Sequence, residues 1–214
     1  MRINRFVALA TGIGRRQADS LIAEKKVHVN GVVPEVGYNV KATDIVTLND
    51  QRLSIKETIT IALHKPVGYV CSRNGQGSPT IYQLLPRQYQ PLKPVGRLDK
   101  DSSGLLLLTN DGELTQNLTH PSQQKEKVYQ VRLDKPLSKI DQDAISKGVR
   151  LSDGLSKLAL EGANYTWQVT MHEGRNRQIR RTFARLGYTV VSLHRTHFGQ
   201  YTLGELPQGR YQEI

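Results

Sequence analysis

The polar turn Gly96-Arg97-Leu98-Asp99-Lys100-Asp101-Ser102-Ser103-Gly104 runs directly into an apolar stretch, Leu105 to Leu108. An Asp in such a turn is ordinarily a turn former, bonding the backbone two residues on. Here, however, Asp99 stands at the mouth of an apolar strand with Arg97 and Lys100 close in sequence. A carboxylate so placed can stay ionised and serve as nucleophile or as base, and the residues alone leave both open. A second concentration of chemistry is basic. Arg175, Arg177, Arg180, Arg181 and Arg185 fall within eleven residues, and Arg2, Arg5, Arg15 and Arg16 form a smaller group near the start. One such cluster is often only a solvated helix face. Two of them, in a chain of 30 Lys and Arg against 19 Asp and Glu with a net charge of +11, point to a polyanionic partner. Arg in place of Lys favours bidentate phosphate contacts and stacking on bases.

Other chemistries fail on spacing. Gly12-Ile13-Gly14 lacks the third glycine of a dinucleotide loop and follows a helical pattern where a strand is required. Asp99, Asp101, Ser103 and Gly104 imitate the first half of a calcium loop, but Asn110 occupies the twelfth position, where a bidentate Glu is needed. His194 and His197, three apart, can share a helix face, yet no further ligands lie close in sequence, so a hydrogen-bonding or RNA-facing role is expected in place of metal binding. Cys71 is the single cysteine, which excludes an internal disulfide framework and any multi-cysteine zinc site. No nucleophile elbow occurs. Neither a metal nor a cofactor is expected. Leu105 to Leu108 is far short of a membrane span, and the first residues lack the apolar stretch of a signal peptide. A soluble, cytoplasmic monomer is the expectation.

The elements that must position these residues follow from periodicity. Ile3, Phe6, Val7, Leu9 and Ala10 recur at helical spacing until Thr11-Gly12-Ile13-Gly14 breaks the pattern, and Ala18, Leu21 and Ile22 mark a second short helix. Val27-His28-Val29 alternates as a strand and meets Asn30-Gly31, a strong hairpin signal, with Val32-Val33 beginning the return strand. Ile45-Val46-Thr47-Leu48 predicts another strand, entering a turn at Asn49-Asp50. Residues 51–60 are polar and read as a linker. Beyond it, strands are predicted from Ile59 to Leu63, from Gly104 to Thr109 (buried on both faces), from Val128 to Leu133 and from Trp167 to Met171. Arg177 to Leu186 reads as a helix closed by Gly187. Strands dominate without regular strand–helix alternation, which predicts an α+β fold.

The whole chain resembles the ribosomal RNA pseudouridine synthases that carry an N-terminal S4-like RNA-binding domain. Arg2-Ile3-Asn4-Arg5-Phe6, Gly14-Arg15-Arg16-Gln17-Ala18-Asp19 and Val27-His28-Val29-Asn30-Gly31 are similar to the S4 module. Gly96-Arg97-Leu98-Asp99 with Ser103-Gly104-Leu105-Leu106 is similar to the catalytic motif, and Glu173-Gly174-Arg175-Asn176-Arg177-Gln178-Ile179-Arg180-Arg181 to the basic motif. The resemblance implies a small S4-like α/β module at 1–50, a linker at 51–60 and a mixed, mainly antiparallel catalytic domain at 61–214. It implies isomerisation of uridine to pseudouridine in ribosomal RNA or in a ribosomal assembly intermediate, without cofactor or metal. Asn176-Arg177-Gln178-Ile179-Arg180 leans toward large-subunit RNA. By the same likeness Asp99 is the catalytic aspartate, acting at the ribose of a flipped-out uridine. Tyr129 packs against the uracil, Arg180 pairs with Asp99, and Arg97 inserts near the flipped base. Arg175, Arg177 and Arg181 grip flanking phosphates, while Arg5, Arg15, Arg16 and Lys26 form a second grip in the S4 module. The competing classes are a non-catalytic RNA-binding protein of the same fold, disfavoured by the intact Asp99, Tyr129 and Arg180, and a DNA-binding regulator, disfavoured because no dimer-forming helix is evident.

Overall fold

Gly12, at φ 81°, ends helix α1 (Ile3–Thr11), its N–H donating to the carbonyl of Ala8. Only a residue without Cβ turns left-handed there cheaply. Helix α2 (Arg15–Ala23) starts where the Gln17 side chain accepts from the Gly14 N–H at 3.3 Å. The apolar faces of the two helices, Ile3 and Val7 with Ala18 and Ile22, close on Val27, Val29, Val40 and Val46. In the computed structural model, which describes every residue except Lys56, these belong to a compact unit spanning Met1–Ile59. Thr60–Ile214 forms a second unit.

The predicted hairpin is corrected by the structure. Asn30 and Gly31 do adopt the left-handed turn (φ 53° and 82°), and Val29 and Val32 exchange both backbone hydrogen bonds. Pairing ends at that one bridge. Pro34 follows, with no N–H to donate to a ladder, and Val32 and Val33 stay exposed. Strand β1 (Val27–Val29) pairs instead with β2 (Val46–Leu48), and β2 turns through Asn49 and Asp50, both at positive φ, into β3 (Gln51–Arg52). The stretch read as a linker therefore begins as sheet, and Leu53 packs on the same core. The remainder of 51–60 includes Lys56, which lies outside the described residues.

The second unit runs β4 (Thr60–Lys65), β5 (Lys93–Pro94), β6 (Ser103–Thr109), α3 (Gly112–Thr119), β7 (Lys127–Leu133), α4 (Lys139–Lys147), β8 (Val149–Leu151), β9 (Gly154–Ser156), β10 (Ala159–Ala163), β11 (Thr166–Met171), α5 (Gln178–Arg185), β12 (Val190–Phe198), β13 (Tyr201–Thr202) and β14 (Tyr211–Glu213). Among the described residues, nine of these strands make one mixed sheet in the order β10-β11-β7-β12-β6-β4-β14, with β13 on β12 and β5 on β6. Only the β12–β6 pairing is parallel within it. The fold is α+β, as the pattern of elements predicts. β6 lies inside the sheet, and every residue from Gly104 to Thr109 is buried. This explains four successive leucines where a half-exposed strand would alternate. His194 and His197 fall on β12 and not on a helix. Each bonds a hydroxyl, His194 that of Ser103 at 2.9 Å and His197 that of Thr196 at 2.8 Å.

Candidate active site

Asp99 occupies the turn that feeds β6, and the turn is held from below. Lys65, the last residue of β4, is fully buried and donates from Nζ to the carbonyls of Pro66 (3.0 Å), Asp99 (3.0 Å) and Ser102 (2.7 Å). An ammonium has three donors, and all three are used. Burial pushes the Lys65 pKa down. Leu98, one residue before Asp99, is fastened to Cys71: the Leu98 N–H donates to Sγ at 3.4 Å and the thiol donates back to the Leu98 carbonyl at 3.3 Å. Burial raises that thiol's pKa, so Cys71 acts as a structural clamp and not as a nucleophile. At the other end, Gly104 sits at φ 107°, and a Cβ there would lie 2.2 Å from the carbonyl oxygen of Arg195. Glycine is what lets β6 and β12 approach.

The arginines sort differently from the sequence reading. Arg180, paired with Asp99 by the family resemblance, donates instead to the carbonyls of Asp101 (2.8 Å) and Val190 (2.7 Å), with Nε 3.3 Å from the Asp101 carboxylate. The guanidinium that reaches Asp99 is that of Arg177, at 3.5 Å, and it also makes a two-pronged pair with Asp101 at 3.0 Å on each arm. Burial alone would raise the Asp101 pKa, but the Arg177 hydrogen bonds and the Arg180 charge outweigh it and hold the carboxyl below its ordinary value. Arg177 adopts φ 47°, ψ 32° at the cap of α5. That left-handed conformation costs a non-glycine residue roughly 1 kcal/mol or more, the kind of strain kept where position matters.

Arg97, Asp99, Tyr129, Arg175, Arg177 and Arg195 line one cleft of about 480 Å³, a size suited to one nucleotide. Tyr129 on β7 and Arg195 on β12 are register partners, so their side chains share a face. Arg97 is exposed at the cleft. Arg180 and Arg181 do not line it. Arg175 and Arg181, expected to grip phosphates, both close on Asp153 in the β8–β9 turn: Arg175 at 3.1 Å, and Arg181 at 3.1 and 2.6 Å. The Arg181 hydrogen bonds lower the Asp153 pKa. In the first unit Arg15, Arg16 and Lys26 are exposed and Arg5 is half-buried. Arg15 reaches Asn4 at 3.3 Å, and Lys26 pairs with Glu24 at 2.6 Å. Lys65, Lys127 and Arg195 escaped the sequence reading. Their only signal is a lone basic residue set in or beside an apolar strand, as in Ile61-Ala62-Leu63-His64-Lys65 and Leu193-His194-Arg195.

An acidic residue on a pinned turn, a buried tyrosine and a basic wall around a nucleotide-sized cleft suit an enzyme that modifies nucleic acid. Comparison with known proteins specifies the class. Residues 59–185 match the RNA pseudouridylate synthase family and residues 1–46 match the S4 domain, and the chain belongs to that synthase family, as an isomerase bearing an S4 domain. It is 35% identical over its whole length to the ribosomal large subunit pseudouridine synthase B of Bacillus subtilis (strain 168), of which the match covers 91%. It is 37% identical to the ribosomal large subunit pseudouridine synthase B of Yersinia pestis (100% of this chain, 72% of that one). It is likewise 37% identical to the ribosomal small subunit pseudouridine synthase A of Pasteurella multocida (100% and 96%). A crystal structure of a pseudouridylate synthase, 34% identical, superposes with a TM-score of 0.72 over 100% of this chain and 96% of the other. No helix among the described residues is long and apolar enough to cross a membrane.

Proposed function

We propose that the enzyme isomerises uridine in ribosomal RNA to pseudouridine, with Asp99 acting at the ribose of an extruded nucleotide. The observation that carries this reading is Asp99 and Tyr129 lining one nucleotide-sized cleft in a chain of this family. The reaction breaks the C1′–N1 bond and forms C1′–C5, while one proton leaves C5 and one is gained at N1; no electrons are exchanged with another molecule. As C1′–N1 lengthens, the sugar carbon gains positive charge, which the Asp99 carboxylate offsets. It then attacks C1′ or removes the C2′ proton. Arg177 supplies its counter-charge at 3.5 Å, and the Lys65 bonds fix the backbone from which it projects. Tyr129 packs against the uracil and assists loss of the C5 proton. The base must leave its stack, at a cost of a few kcal/mol, and exposed Arg97 is placed to enter the space it vacates. Arg5, Arg15, Arg16 and Lys26 hold the RNA a second time, and Arg175 and Arg181 exchange Asp153 for phosphates.

Large-subunit RNA is the proposed target. The Asn176–Arg180 motif supports it, as do the names of the Yersinia and Bacillus relatives. The Pasteurella relative, at the same identity as the Yersinia one, makes small-subunit RNA the necessary comparison. The test is tritium release from carbon-5-labelled, unmodified large- and small-subunit RNA and assembly particles, with wild type beside Asp99→Asn. Release by wild type alone, with RNA binding retained by the variant, is the expected result. Silence of wild type on every RNA form would make the protein a binding module.

A further inference from the structure

Arg195 is 2% exposed and is not used by the reaction as described above. Its Nε donates to the Leu105 carbonyl at 2.9 Å, and its guanidinium lies 4.8 Å from the centre of the Phe198 ring. Its Nη2 is buried without any hydrogen-bond partner. Among the described residues no carboxylate pairs with it. A buried guanidinium with an unused N–H and no counter-ion is costly to keep, and the cation–π contact offsets only a part. The residue lines the cleft beside Tyr129, its register partner on the neighbouring strand. Lys127 lies on the same wall, its Nζ 5.1 Å from the Phe198 ring, and burial followed by the Arg195 charge pushes its pKa down. Both cations lie against one ring on the side of the cleft that Tyr129 shares, and among the described residues neither is paired with a carboxylate.

The bound nucleotide supplies an anion only during the reaction. When C1′–N1 breaks, its electron pair departs with the uracil, whichever route Asp99 takes, and the negative charge spreads over N1 and the two carbonyl oxygens. It persists until C5 bonds to C1′, returns when the C5 proton leaves, and ends when N1 is protonated. We propose that Arg195 is a catalytic residue whose unpartnered Nη2–H donates to a carbonyl oxygen of the departing uracil, with Lys127 adding positive charge to the same wall. The proposal rests on the reading of the cleft given above. A donor aimed at charge that exists only beyond the ground state accelerates the chemical step and contributes little to substrate affinity.

The test uses the full chain and single-turnover kinetics on unmodified ribosomal RNA. Arg195→Met keeps the length of the side chain and removes the donor, and the expected rate loss is about 100- to 1,000-fold, with RNA affinity within about threefold of wild type. Arg195→Lys, which keeps a charge, should recover part of the rate. The same variants are then compared on RNA substituted with 5-fluorouridine, whose C5 has no proton to lose, so that the C1′–C5-bonded product keeps its fluorine and takes up water at C6; conversion is read by chromatography of the digested nucleosides. Fluorine makes the uracil anion less basic, so the Arg195→Met penalty should shrink there by at least tenfold. If Arg195→Met fails to fold, judged by circular dichroism, the leaving-group comparison is made with Arg195→Lys. Equal penalties on the two RNAs, or a rate loss matched by lost affinity, would overturn the proposal and leave Arg195 a packing or RNA-binding residue. A wild-type enzyme silent on every RNA form would overturn the underlying reading and this proposal with it, whereas an active wild type with equally active variants overturns this proposal alone.

Discussion

Lys65→Met tests how the Asp99 turn is held. The substitution preserves the length of the side chain and removes the ammonium that donates to the carbonyls of Pro66, Asp99 and Ser102 at 2.7–3.0 Å. Each carbonyl left without a donor costs roughly 1–3 kcal/mol, so the three together cost about 3–9 kcal/mol. Against this, the folded state no longer has to strip water from a buried ammonium, which returns several kcal/mol. The net destabilisation is therefore about 1–4 kcal/mol, smaller than the 5–15 kcal/mol of an ordinary domain, and the protein stays folded. The turn, however, loses the tie on both sides of Asp101. A carboxylate displaced by about 1 Å loses on the order of 100-fold in rate. Single-turnover tritium release should fall by at least that factor, with RNA affinity unchanged and a melting temperature lower by about 2–16 °C. A folded Lys65→Met that turns over within about threefold of wild type would refute the reasoning, because the position of Asp99 would then owe nothing to Lys65.

Three further outcomes follow. Gly104→Ala places a methyl 2.2 Å from the Arg195 carbonyl oxygen at a φ of 107°, and should lower the melting temperature by about 6–12 °C, the shift expected for roughly 3 kcal/mol in a chain of this size; an unchanged melt would show that β12 can shift freely. Arg15→Ala combined with Arg16→Ala should weaken RNA binding and reduce the slope of log affinity against log salt by about 1.4–1.8, the value for two lost phosphate contacts, without altering the fold. Unchanged affinity at physiological salt would remove these residues from the RNA interface. The Asp141 carboxyl is held below its ordinary pKa by the hydrogen bonds of Ser138 and Tyr188. A carboxyl depressed on folding stabilises above its unfolded pKa, and that contribution is lost as pH falls through the folded one. Stability should therefore drop below about pH 4, and Asp141→Asn should flatten that limb of a thermal-melt series; an identical acid limb would assign the loss to other carboxyls.

Local patterns carried much of this protein in one dimension. Helical spacing ended by Gly12, the unalternating leucines of β6 and the helix closed by Gly187 each have causes within a few residues of chain, and each was legible for that reason. Asp99 was legible too, because a turn feeding a buried strand is a local feature and the surrounding motif is contiguous. What the chain does across long separations was not. The Asn30-Gly31 turn formed, yet its return strand did not, since β1 found a better partner in Val46–Leu48, beyond Pro34. The partner of Asp99 is Arg177, 78 residues away, and Arg180 goes to Asp101. The order of basic residues in a motif fixes their spacing along the chain but not which guanidinium meets which carboxylate. Arg175 and Arg181 close on Asp153 for the same reason. Lys65 and Arg195 matter because strands from different parts of the chain bury them, one satisfied by three carbonyls and the other with a donor left over. Sequence determines which groups are available and how local backbone bends. Only the tertiary structure decides which of them are desolvated together, and desolvation sets how much each charge and hydrogen bond contributes.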